Sequence, residues 1–200
     1  MNTEKEVLYA RGILRARAFC AHNKLPEPHF RRVYPGDKYY RLGTCAFYRP
    51  STIHVMVERC ANKGYGGRAW SWPAYVIDRT PYGVIQHELG HHVDSLKYDS
   101  KSGSVFSHST YLKSGEPPLT GYLGTDKKEL TFYMEWFAEI FRLYVTNPDL
   151  CRMLRPMFFR AMKEAGVLPL LSDGWGAVLS GFGAPQRIID QASKKIQSLR

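Results

Sequence analysis

The pentad His87-Glu88-Leu89-Gly90-His91 sets two imidazoles four residues apart with a carboxylate between them. On a helix the two histidines stack on one face, and Glu88 lies about 100° round from His87. Two imidazoles at that spacing can bind one divalent metal. The glutamate beside them is placed to take a proton from a water on that metal, which is the hydrolytic reading of H-E-x-x-H. His92 points about 140° away from His87 and is not expected to be a ligand. Asp94 comes one turn after His91 on the same face, where it could accept a ligand imidazole's N–H or brace the loop that follows.

A catalytic zinc takes a third protein ligand and leaves its fourth position to water. The extended pattern with a third histidine six residues after the second requires glycine and histidine where this chain has Asp94 and Lys97, so that class is excluded. Further on, Glu135-Trp136-Phe137-Ala138-Glu139 carries two carboxylates at i and i+4 of an apolar helix. Acids there are costly to bury unless paired or bound to metal. His108, Glu116 and Glu129 are alternatives for the third ligand, and Glu139 could instead pair with Arg142.

Taken together, His87-Glu-Leu-Gly-His91 with Val93-Asp94, followed by Glu135-x-Phe-Ala-Glu139-x-Phe141, resembles the gluzincin-type peptidase domain of anthrax lethal factor and related compact bacterial and phage zincins. The resemblance covers roughly residues 75 to 147; the first 60 and last 50 residues show none. It implies one Zn2+ per chain held by His87, His91 and Glu135, with Glu139 orienting a ligand histidine. Glu88 is then the general base of a zinc-dependent endopeptidase and hands its proton to the leaving amine. The Leu119-Thr120-Gly121-Tyr122 setting resembles the family's tyrosine, so Tyr122 is the implied donor to the oxyanion of the tetrahedral intermediate, with Tyr111 and Tyr133 as rivals.

These residues need elements to hold them. A chain of 200 residues, 44% hydrophobic and 14% aromatic, suits a single folded domain with a real core. Residues 1–28 supply a packing helix over 3–22, ended by Asn23 and prolines. Residues 29–79 read as a small sheet, with strands at 30–34, 39–48 and 53–57 read as antiparallel, and an edge strand at 70–78 that could hold an extended peptide. The site helix spans 80–97, with Thr80 as N-cap and Pro81 at its first position. A long loop over 98–125 and a helical half over 126–200 complete the chain, with helices from Asp126 to Asn147, on to Ala165, and from Pro185 to Arg200. The expected fold class is therefore α+β, and the resemblance makes it zincin-like: a small mixed sheet packed on the site helix, with a mainly helical C-terminal half.

Charge and cysteines bound the partners. The net charge of +10 is spread over isolated basic doublets and reads first as a solvated surface, with nucleic acid a weaker alternative to a polypeptide substrate. The alternative function is a binding module in which a metal only stabilises the fold. Cys20, Cys45, Cys60 and Cys151 form no C-x-x-C pair and are expected to be reduced thiols. No apolar run reaches the length of a membrane span, and the polar start is unlike a secretory leader. The expected location is cytoplasmic, with export by a non-standard route as the alternative; oligomeric state is not written in the sequence.

Overall fold

The computed structural model describes residues 3–61, 78–97, 105–119 and 130–172. The expected edge strand at 70–78, Tyr122, Glu129 and the helix at 185–200 fall wholly or largely outside them. The described chain is mixed α+β and mostly helical, with a three-stranded mixed sheet. Among the described residues no helix is long and apolar enough to cross a membrane.

Helix α1 (Thr3–His22) buries Leu8, Ala16 and Phe19. It ends where Asn23 turns its amide back onto the Phe19 carbonyl at 3.0 Å. Strands β1 (His29–Arg32), β2 (Ala46–Arg49) and β3 (Thr52–Val55) follow. Their order is β1-β3-β2, with β1 parallel and β2 antiparallel to β3. The sheet is mixed, as the expected fold class has it, and the antiparallel reading of the three strands fails at β1: Pro50 and Ser51 make the tight hairpin, whereas β1 lies on the far side of β3. The strand expected from Tyr39 is also shorter, because Tyr34, Asp37 and Tyr40 close successive turns before Ala46.

Cys45 and Cys60 are joined by a disulfide, which corrects the expectation that all four cysteines are reduced; Cys20 and Cys151 are free and buried. The hairpin folds the two half-cystines together across a separation that no short motif reveals.

Helix α2 (Pro81–Leu96) is the centre of the molecule, buried at most of its positions. It can be so enclosed because two neighbours approach it at glycines. A methyl group on Gly12 of α1 would meet Ile85 Cδ1 at 2.9 Å and Tyr82 Cα at 3.0 Å, and one on Gly90 would meet Ala138 Cα at 2.9 Å. Ala138 belongs to α4 (Leu130–Thr146). Gln86 also ties α2 to α1, donating to the Gly12 carbonyl at 2.8 Å.

Two further expectations are corrected. The stretch read as loop contains α3 (Phe106–Ser114), a helix of nine residues. Its Ser-rich sequence lacks a clear apolar period, and its N-terminal cap comes from elsewhere: Asp94 accepts from the Ser107 amide at 2.6 Å. The helix read as continuous to Ala165 is two, α5 (Pro148–Leu154) and α6 (Pro156–Glu164). Pro156 has no amide hydrogen and forces Arg155 out of the helical region, to φ −141°.

Candidate functional site

The site is assembled where α4 crosses α2. Gly90 faces Ala138 at that crossing, and the two acids of α4, Glu135 and Glu139, flank it three residues before and one residue after. Close approach of the backbones therefore brings both carboxylates to the histidine face of α2.

Glu135 Oε2 lies 3.1 Å from His87 Nε2, and Glu135 Oε1 lies 3.4 Å from His91 Nε2. One ligand atom from each of the three residues falls within 4.8 Å of the others. Ligands about 2.05 Å from a tetrahedral ion are about 3.3 Å apart, so these spacings suit a single cation. Two imidazoles and a carboxylate are also the right donors for a borderline divalent metal. The cluster could hold a metal ion; among the described residues it is the group with that geometry.

The residues around the cluster hold one of its histidines. His87 Nδ1 lies 2.9 Å from Glu139 Oε1, so Glu139 is placed to accept the N–H of that ring and leave Nε2 facing Glu135. Glu139 is also paired with Arg142, so this acid touches both the His87 ring and the arginine. Arg142 is buried, donates to the Asp78 carbonyl at 2.9 Å and has Nη2 3.4 Å from His87 Nδ1. Burial and the positive charge of Arg79 bring its guanidinium down to about 10, still charged at neutral pH. This arginine behind the His87–Glu139 contact is a feature the sequence presented only as an ion-pair partner.

Glu88 is buried beside the cluster, and its carboxylate accepts no hydrogen bond from a described residue. Burial pushes its pKa up against the lowering effect of His87 and His91. Burial also pulls Glu135 upward, but its close contacts with the two imidazoles outweigh it and hold that acid well below the usual carboxylate range. Two neighbouring acids are thus shifted in opposite directions, Glu88 upward by burial and Glu135 downward by the imidazoles.

The other candidates are placed elsewhere. Asp94 braces α3 through Ser107, and His91 Nδ1 has no hydrogen-bond partner among the described residues, so the brace is the role realised. His92 joins helix to sheet, with Nδ1 3.2 Å from Tyr48 Oη and Nε2 2.9 Å from the Pro26 carbonyl. Glu116 accepts from the Met157 and Phe158 amides at 2.9 and 3.0 Å, capping α6, and His108 packs on Tyr133. Tyr111 and Tyr133 lie together in an aromatic cluster with Phe132. Tyr122 lies outside the described residues.

Sequence reasoning missed Asp78. It is buried two residues before Thr80, and its Oδ1 accepts the Thr80 amide at 2.9 Å; the Thr80 side chain, at the N-cap position of α2, makes no capping hydrogen bond. Its only signal is a lone acid just ahead of Thr80-Pro81.

Compared with known proteins, the chain matches no protein-family model, no curated protein and no solved structure.

Proposed function

We propose that this chain is a zinc-dependent endopeptidase of zincin-like fold. The observation that carries the reading is the convergence of His87, His91 and Glu135 from two helices, with Glu88 buried beside them and uncommitted. Those three residues would hold the zinc. Bound there, zinc would supply Lewis acidity, lowering the pKa of a water towards neutrality and polarising a peptide carbonyl.

The protein's own groups do the rest. Glu88 takes a proton from the attacking water on a carboxylate oxygen and delivers it to the departing amine. Its burial favours that exchange, because a carboxylate with raised proton affinity is a better base. Glu139, held in turn by Arg142, accepts the Nδ1–H of His87 and keeps that ring in one orientation. Tyr122 is proposed as the donor to the oxyanion, on the resemblance alone. The Cys45–Cys60 disulfide weighs for the export alternative over the cytoplasm, since such bonds persist in oxidising compartments.

The test is hydrolysis of a mixed peptide library by the full chain, with and without a chelator. Cleavage should be abolished by chelation and restored by zinc. Glu88→Gln should lower kcat by about 10²- to 10⁴-fold while keeping its zinc and thermal unfolding. Full activity in Glu88→Gln contradicts the mechanism; absence of hydrolysis with zinc bound favours the binding-module reading.

A further inference from the structure

The sheet has two unlike faces. Side chains alternate along a strand, so the row Phe30–Ile53–Tyr48 shares the face of Val55 and Ala46, while Arg31–His54–Phe47 forms a row on the opposite face with Arg49 two residues on. Ile53, Val55 and Ala46 are buried in the main core, and Tyr48 reaches His92 of α2. The metal cluster therefore lies behind the inner face, and the outer face is turned away from it.

That outer face gathers cations onto rings. Phe47 stacks on His54 at 4.7 Å, and Tyr39, from the segment between β1 and β2, covers His54 at 4.8 Å. Over Phe47 lies Arg41 at 4.2 Å; over Tyr39 lie Arg31 at 4.7 Å, Lys38 at 5.0 Å and Arg49 at 5.8 Å. The acid among them is Asp37, already engaged by Arg31 at 2.8 Å and by the Tyr39 amide. Among the described residues no carboxylate pairs with Lys38, Arg41 or Arg49, all of them exposed. Arg32, on the inner face, is by contrast neutralised by Glu6 and Glu58. The positive field is felt within the protein: after burial, the charges of Arg31 and Arg49 depress the pKa of His54.

We propose that the outer face of the sheet binds single-stranded nucleic acid, with Arg41 and Arg49 on phosphates and unpaired bases stacked on the guanidiniums. Guanidiniums seated over rings are restrained forks for phosphate oxygens and can also stack against a base. An aromatic and arginine platform on a sheet takes unpaired bases of any sequence. Among the described residues no helix projects from this face to enter a duplex groove. A membrane finds little to hold, since Leu42 is the large aliphatic side chain exposed there. This site stands apart from the peptidase reading and would survive its failure.

The test is fluorescence anisotropy of labelled oligo-uridylate and oligo-thymidylate against the full chain over a salt series. Binding should weaken with salt. In Arg41→Gln/Arg49→Gln the log–log salt slope should fall by roughly 1.4, about 0.7 for each single-strand phosphate no longer neutralised. Lys113→Gln/Arg160→Gln, which removes exposed cations from other surfaces, should leave it unchanged. Arg41→Lys/Arg49→Lys should restore the slope but bind more weakly than wild type, because an ammonium cannot stack. Glu88→Gln should bind like wild type. No binding at low salt overturns the proposal. So do equal slopes for the two glutamine variants, full recovery in the lysine variant, or stronger competition by duplex DNA, poly-glutamate or phosphatidylserine vesicles than by the oligonucleotides. Thermal unfolding of each variant confirms that weakened binding does not come from unfolding.

Discussion

His87 illustrates how a histidine of the proposed zinc site would be prepared before a metal arrives. Its Nδ1 faces Glu139, Glu139 is held by Arg142, and Arg142 is anchored on the Asp78 carbonyl. Removing the arginine leaves a buried acid with one partner fewer, and the ring less firmly held. Arg142→Met should lower zinc affinity by about 10- to 100-fold in competition with a chromophoric chelator, and Arg142→Lys should recover part of the loss. Unchanged affinity in Arg142→Met would show that Glu139 needs no support. Asp78 makes another prediction through its own proton. Burial raises its pKa to about 6 against the lowering effect of the Thr80 amide. The folded form then holds a proton that the unfolded chain has lost between about pH 4 and 6, so stability falls as pH rises through that window, by roughly 3 kcal/mol in all. Asp78→Asn keeps the acceptor for Thr80 and should flatten this part of the pH–stability curve; a curve that keeps its full slope would mean another group is responsible. The pentad is legible in the sequence because its geometry is complete within little more than one helical turn. Arg142 is not, because its role depends on how closely another helix approaches.

That approach belongs to the elements. Gly90 lets α4 lie against α2, and a methyl group there would press on Ala138 Cα, which as backbone cannot rotate aside. Gly90→Ala should destabilise the fold by about 1–3 kcal/mol and weaken zinc binding with it, because Glu135 and Glu139 withdraw together. Equilibrium denaturation combined with zinc competition measures both effects; a destabilised variant with undiminished zinc affinity would separate packing from the site. Most helices can be read from apolar spacing, α1 and α4 best of all, since their buried faces are built from their own residues. Helix α3 cannot, because its cap, Asp94, sits on a different helix. The break at Arg155 is marked by Pro156, yet the apolar spacing of Leu150, Leu154 and Phe158 runs straight across it. The parallel pairing of β1 with β3 leaves no mark on the sequence, since a strand of four residues reads the same in either direction.

At the scale of the molecule, α2 is enclosed by α1, α4 and the inner face of the sheet, and this enclosure makes a carboxylate such as Glu88 unusual in both burial and proton affinity. The sheet separates that interior from an outer surface with a different chemistry. Cations that lie apart along the chain are collected there, because alternate residues of neighbouring strands share a face. Only the folded register brings Arg31 and Arg49 to the same side. The account as a whole rests on a single cation held between α2 and α4. Elemental analysis of the purified chain beside Glu135→Ala, with folding of both checked by thermal unfolding, tests it most directly. The account predicts one zinc per wild-type chain and loss of most of it in the variant; zinc retained at full occupancy in folded Glu135→Ala would contradict it.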